Sequence, residues 1–188
     1  MMLFILLALA LLCHVSGKAI NTFAGPYKVV PERFYMCEPD NRVLPARWYL
    51  RISHFNPHKP KELQLLTGNI TVQSVSMDNS AWVKGNIDVR SNNQWKKNAF
   101  VGSFNNSACR ALKENIPGFY DVFFKKKEIG GVCSIKPGVY EVNDAPVDWN
   151  FPKAPIFPYG QYRFRLLFGK AEKMYSCFVV ENTVIPKP

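Results

Sequence analysis

Proline and glycine interrupt this chain at short intervals, and this punctuation constrains the fold more than any other sequence feature. The 188 residues include 14 prolines and 11 glycines, and the segments between them are rich in Val, Ile, Phe and Tyr. In residues 162–168 (YRFRLLF), apolar residues alternate with arginines, which is typical of a strand with one buried face. Short strands separated by regular turns predict an all-β sandwich or barrel.

Further segments share this strand character. The clearest strands are predicted at 48–52, 69–75, 81–90, 95–104, 162–168 and 174–184. The pair Asn92-Asn93 predicts a hairpin turn. One short helix is predicted near 107–115, ending before Pro117. Residues 119–123 also share a helical face, but the neighbouring Pro and Gly residues predict a loosely held element there.

Residues 1–17 have the pattern of a secretory signal peptide. Residues 3–12 form an unbroken apolar run that is too short to span a bilayer comfortably, and Val15-Ser16-Gly17 has the small residues of a cleavage site. We therefore expect a secreted mature chain. Because the sequence contains no repeat and no linker, residues 18–188 are predicted to form a single domain.

The cysteines and two glycosylation sequons agree with secretion. Four cysteines remain after residue 17, and they are Cys37, Cys109, Cys133 and Cys177. An even number in a secreted chain predicts two disulfides, and spacing alone leaves three pairings open. Asn69 and Asn105 each begin an N-x-S/T sequon, so we expect both side chains to face solvent.

The chain is strongly basic, with a formal net charge of +10. Such a balance favours acidic partners, among them anionic lipid surfaces and acidic glycans. Secretion argues against nucleic acid as the partner. The alternative is a secreted protein that is merely basic.

The sequence contains no pattern typical of an enzyme. It lacks the G-x-S-x-G, H-E-x-x-H and Gly-rich phosphate-loop motifs. His54 and His58 have a spacing that could bind a metal on a helix, but Pro57 lies between them and predicts a loop. We therefore predict no catalytic residues, no metal and no cofactor.

Aromatic residues make up 14% of the chain, more than a lean sandwich core needs. They can form an aromatic core, or some can line an apolar cavity of about 300–1,000 Å³ between sheets held apart. The segment 149–159 is rich in rings, yet its prolines exclude a helix or a central strand. The candidate ligand-binding residues are Phe100, Phe119, Phe123, Trp149, Phe151, Ile156, Phe157, Tyr159 and Phe164.

Lysines follow or interrupt these apolar segments. The candidate head-group contacts are Lys125, Lys126, Lys127 and Lys153. Rings that enter a lipid interface beside lysines that meet anionic head groups would form a membrane contact. The alternative is a solvated charged turn.

Three motifs in the C-terminal half resemble a known family. They are CSIKPGVY at 133–140, APIFPYGQYRFR at 154–165, and Cys177 in the last predicted strand. Together they resemble the ganglioside activator family, including its secreted arthropod members, within the broader group of ML-type lipid-recognition domains. The resemblance covers residues 105–180.

This resemblance implies a β-cup, in which two sheets enclose an apolar cavity for lipid tails. It implies the disulfides Cys37–Cys177 and Cys109–Cys133, and it places segments 149–159 and 119–124 at the mouth of the cavity. The ganglioside activator has additional cysteines near its helix, which this chain lacks.

The resemblance implies a secreted, non-enzymatic protein that binds or transfers a lipid or another hydrophobic small molecule, outside the cell or in the lysosome. Two alternatives remain open. One is a recognition or signalling protein that binds a receptor or cell surface, and the other is a cationic membrane-active defence protein.

Overall fold

The computed structural model describes residues 23–37, 43–128 and 133–187, and the predicted signal peptide at 1–17 lies outside these ranges. The described strands are β1 (Ala24–Gly25), β2 (Tyr27–Met36), β3 (Ala46–Ile52), β4 (Gln64–Val72), β5 (Trp82–Ser91), β6 (Gln94–Phe104), β7 (Gly138–Val147), β8 (Phe157–Pro158), β9 (Gly160–Lys170) and β10 (Lys173–Pro186). Two helices, α1 (Ala108–Asn115) and α2 (Pro117–Phe123), and a 3-10 turn (Lys125–Lys127) follow β6.

The strands form two main antiparallel sheets. The larger sheet has the order β2-β10-β9-β5-β6, the smaller has the order β3-β4-β7, and β1 pairs with β8 in a short ribbon. The apolar rows of the two sheets pack into a shared core. This architecture confirms the predicted all-β sandwich.

The local predictions near β6 are also confirmed. Asn92 and Asn93 connect β5 to β6 with φ values of 50° and 59°, which asparagine tolerates in a tight hairpin turn. Helix α1 occupies the predicted helical segment. The sequence predicted a loosely held element at 119–123, but helix α2 is anchored in the core, because Phe119, Tyr120 and Phe123 are buried. Pro117 lies in its first turn, where the missing N–H has no helical partner to lose.

One end of the sandwich, which we call the packed end, is filled by aromatic rings. Trp48 of β3 stacks on Phe178 of β10 with ring centroids 4.1 Å apart. Phe119 of α2 and Phe168 of β9 lie 5.5 Å and 6.1 Å from the same indole. These four rings belong to the main hydrophobic core, and their close contacts fill the space between the sheets at the packed end.

Two disulfides join distant parts of the chain. Cys37, after β2, is bonded to Cys177 of β10, and Cys109 of α1 is bonded to Cys133. This is the pairing that the family resemblance implies. The sequence separations are 140 and 24 residues, for which chain entropy predicts stabilisation of about 5 and about 3.5 kcal/mol.

Candidate ligand-binding groove

The inner face of the larger sheet is buried at the core and partly exposed at its β6 edge. Phe100 lies opposite Ile87 in the β5–β6 register, and Phe104 lies opposite Val83. These two rings keep 43% and 45% of their surface exposed, although their side of the sheet is the one that carries the core. Strand β3 of the smaller sheet packs against β2 and β10. The β6 edge therefore retains an apolar surface that faces inward and is open to solvent.

Two paired glycines form the floor of this surface. Gly85 of β5 lies opposite Gly102 of β6. A Cβ atom on Gly102 would meet nothing within 4 Å, and one on Gly85 would meet only the Leu166 Cδ2 atom at 3.5 Å. Neither glycine has a left-handed backbone that would require glycine. Glycine inside a strand often marks a close approach by a ligand or another backbone.

We call this surface the inner-face groove. Its residues are Gly85, Ile87, Phe100, Gly102, Phe104, Phe164 and Leu166. All of them are uncharged, so the groove is suited to an apolar ligand, whose transfer from water is favourable by about 25 cal/mol per Å² of apolar surface.

The proline-rich segment 149–159 reaches the end of the groove. The Phe157 ring lies 5.5 Å from Phe100 and 6.4 Å from Phe164, and Phe151 lies 6.2 Å from Phe164. The β1–β8 ribbon and a hydrogen bond from the Tyr159 hydroxyl to a backbone carbonyl, 3.2 Å long, hold the segment in place. Four predicted ligand-binding residues therefore lie together at the groove.

The other candidate ligand-binding residues lie elsewhere. Phe119 and Phe123 are each only 4% exposed and belong to the main core cluster. Trp149 lies 6.0 Å from Phe119 by ring centroids. It packs against the main core and against a second, smaller cluster of Val29, Tyr162 and Val184. Tyr159 packs against the second cluster, and Ile156 is 62% exposed on the segment itself.

The candidate head-group lysines are on the surface. Lys125 pairs with Asp121 at 3.1 Å, and Lys153 pairs with Glu114 of α1 at 3.7 Å. Exposed pairs of this kind contribute about 0–1 kcal/mol each. Lys126 is exposed, whereas the side chain of Lys127 lies outside the described part of the chain.

The polar groups near the segment are held by the backbone. The Tyr162 hydroxyl donates a hydrogen bond to the Pro158 carbonyl oxygen at 3.0 Å. Burial raises the pKa of Tyr162 above its ordinary value, because the phenolate would lose hydration. The phenol therefore stays protonated at neutral pH and continues to anchor β8 to β9.

The two glycosylation candidates lie in different places: Asn69 is in the smaller sheet, and Asn105 directly follows Phe104 of the groove. Asn69 is half-buried on β4, and the Thr71 hydroxyl donates to its side-chain oxygen at 3.4 Å. Asn105 is exposed in the turn after β6. His54 and His58 are exposed in the connection between β3 and β4. Within the described ranges, no group of three or more potential metal ligands occurs.

Four parts of the groove were not predicted from the sequence as site residues: the glycine floor, Ile87, Phe104 and Leu166. A signal was present in β6, where Phe100, Gly102 and Phe104 occupy alternate positions. Alternation puts all three on one face, so the glycine interrupts an apolar row that a packed core would fill.

In the described part of the chain, no helix is long and apolar enough to cross a membrane.

No family model and no curated protein matches this chain. The fold and the site define its class directly. It is a two-sheet β-sandwich with two disulfides and an exposed apolar surface at the β6 edge of its larger sheet.

Proposed function

We propose that this chain is a secreted, non-enzymatic lipid-binding or lipid-transfer protein that holds a hydrophobic ligand between its two sheets. The observation that carries the proposal is the inner-face groove, where Gly102 leaves open space beside the exposed Phe100 and Phe104 rings. A stable apolar surface of this kind is best explained by a ligand that covers it.

The magnitude of apolar burial supports lipid capture. Covering about 200 Å² of apolar protein surface would contribute about 5 kcal/mol before the costs of binding are subtracted. A lipid chain adds its own buried surface, at about 0.8 kcal/mol per CH₂ group. Because the groove residues are uncharged, they are suited to binding the hydrocarbon chain of a lipid more than its head group.

Two further observations support the ligand class and the compartment. The motifs in residues 133–140 and 154–165 resemble the ganglioside activator family, and the observed disulfide pairing agrees with the one that this resemblance implies. Two disulfides and the apolar run of residues 3–12 support secretion.

A substitution in the groove floor tests the proposal. Gly102→Phe places a ring in the open space, whereas Val101→Phe places the same ring on the opposite face of β6, where Val101 is already exposed. Both variants are purified from a secreting host, and the bound lipid is extracted and quantified by mass spectrometry. We expect Gly102→Phe to retain at least about tenfold less lipid than the wild type, because the ring occupies the chain's place.

The control decides between the proposal and its alternatives. Val101→Phe should retain lipid at the wild-type level, and both variants should unfold at similar urea concentrations. Equal lipid content in the two variants would contradict the groove as the ligand site. A recognition protein would instead keep its partner after delipidation, and a membrane-active defence protein would cause leakage from anionic vesicles without extracting lipid.

A further inference from the structure

A lysine of β6 lies in line with the inner-face groove. In the β5–β6 register, Phe100 lies opposite Ile87, and Lys96 lies opposite Val89. Strand β5 pairs with β9 without a register shift over this stretch, so Ile87 and Val89 are alternate residues that share one face. Opposite residues of an antiparallel ladder also share a face. Lys96 therefore lies on the groove side of the sheet, one row beyond the Phe100 ring.

The ammonium group of Lys96 is free to meet an anion. Lys96 is exposed, and it forms no ion pair with any residue of the described ranges. Strands β5, β6 and β9 contain a single acidic residue, Asp88. Asp88 is fully buried, and its two oxygens accept hydrogen bonds from Arg165 at 3.1 Å and from the Asn98 backbone N–H at 2.9 Å. This end of the groove therefore carries a positive charge that no carboxylate in the described part of the chain neutralises.

The length of the groove matches one lipid chain. The apolar rows extend from Val83 to Ile87 of β5, which is about 13 Å along the strand, and the Lys96 row lies two residues farther, at about 20 Å. One leaflet of the hydrocarbon core of a bilayer is about 15 Å thick, which is the extent of a single acyl chain. A chain that lies along the apolar rows therefore brings its polar end to Lys96.

The opposite end of the groove, beside helix α1, is less suited to an anion. The backbone N–H groups of Ala108 and Arg110 already donate to oxygens of residues 81 and 79, at 3.0 Å and 3.1 Å. The buried residues of α1 are Ala108, Cys109, Ala111 and Leu112. Arg110 lies on the opposite side of the helix, where it is exposed, so its guanidinium faces away from the sheet.

We propose that the groove selects a single-chain lipid with an anionic end group, a carboxylate or a phosphate, and that Lys96 binds this group. The inference rests on the lipid-binding function proposed above and adds the class of ligand and its direction in the groove. The apolar rows hold the hydrocarbon chain, and the Lys96 ammonium donates charge-assisted hydrogen bonds to the anion. The bound chain displaces water beside the ammonium, and the lower local dielectric constant strengthens this ion pair.

Three probes with the same chain and different ends test the selection. They are dodecanoate, dodecan-1-ol and dodecyltrimethylammonium, titrated below their micelle-forming concentrations into the delipidated mature chain by isothermal calorimetry at low ionic strength. We expect dodecanoate to bind about fivefold more tightly than dodecan-1-ol. Dodecyltrimethylammonium should bind most weakly, because it places a cation beside Lys96. The advantage of dodecanoate should shrink as salt is added.

Substitution of Lys96 locates the anionic end. Lys96→Glu reverses the charge and should make dodecyltrimethylammonium bind more tightly than dodecanoate. Lys96→Met keeps the length of the side chain and removes the charge. In this variant the affinities of dodecanoate and dodecan-1-ol should lie within about twofold of each other.

Two further variants are matched controls. Lys84→Glu makes the same charge change on the other face of the sheet, because Lys84 is exposed and alternates with Val83 and Gly85 of β5. Arg110→Glu makes it at the opposite end of the groove and tests the reverse direction of the chain. Both controls should keep the wild-type order of affinities, and all variants should unfold at the urea concentration of the wild type.

The outcomes separate this inference from lipid binding itself. Equal binding of dodecanoate and dodecan-1-ol by the wild type, with binding at least about tenfold weaker in Gly102→Phe, would overturn the anion selection and leave the groove as a lipid site. An anion preference that persists in both Lys96 variants, or that Arg110→Glu reverses, would place the anionic end elsewhere and overturn the role of Lys96. The absence of saturable binding of any probe by the wild type would overturn both proposals.

Discussion

The packed end and the inner-face groove use the same kind of residue on the same face of one sheet, yet they differ in their neighbours. At the packed end, the Phe168 and Phe178 rings are covered by Trp48 from the facing sheet and are almost fully buried. In the groove, Phe100 and Phe104 lie on the same face and remain nearly half exposed. Aromatic content alone therefore does not identify a ligand site. The residues opposite each ring decide whether it becomes core or surface.

The largest expected difference between the two regions is in stability. Trp48→Ala removes a ring that three other aromatic rings contact, and we expect a loss of about 3–5 kcal/mol in the free energy of unfolding. Phe100→Ala, at the groove, should lose only about 1 kcal/mol or less, because much of its surface already meets water. Urea unfolding followed by tryptophan fluorescence and circular dichroism measures both changes. Similar losses in the two variants would mean that the groove is packed as tightly as the core.

Two glycines give a smaller and opposite pair of effects. In α2, a Cβ atom on Gly118 would collide with the backbone carbonyl of Asp148, whereas one on Gly102 would enter open space. We expect Gly118→Ala to destabilise the protein by about 1–3 kcal/mol. Gly102→Ala should stabilise the protein by about 0.5 kcal/mol. The unfolded chain has less conformational entropy with alanine than with glycine, so less entropy is lost on folding. Thermal unfolding of both variants gives the signs, and a destabilised Gly102→Ala would contradict an open groove floor.

Strands β3, β4, β5, β6, β9 and β10, the hairpin at Asn92-Asn93 and helix α1 were predictable because they depend on local signals: alternation, turn chemistry and a proline boundary. Strands β2 and β7 were not among the predicted strands. The cysteine pairing needed the family resemblance, since spacing left three choices. The division between core and groove was not predictable from local signals. Phe119 and Phe100 are both apolar residues in apolar segments, and only the tertiary arrangement buries the first and exposes the second.

The smallest predicted effect concerns the helices that cover the packed end. Lys113 of α1 donates to Glu128 Oε1 at 2.8 Å, and the Tyr120 hydroxyl of α2 donates to the same oxygen. These two hydrogen bonds hold the pKa of Glu128 below its ordinary value of 4.5, because they favour the charged form. The stabilisation that Glu128 provides is therefore fully present above pH 4.5 and is lost as the pH falls through the lowered pKa.

Glu128→Gln tests this linkage, because the amide cannot ionise. The wild type should be more stable than the variant at neutral pH, and the difference should shrink as acid protonates the carboxylate. Lys59→Gln is the control, because its exposed pair with Glu62 lies in the connection between β3 and β4 and involves neither helix. Urea unfolding at several pH values measures each difference. The difference in unfolding free energy between the wild type and Glu128→Gln could instead stay constant with pH. That result would show that the charge of Glu128 does not stabilise the helices at the packed end.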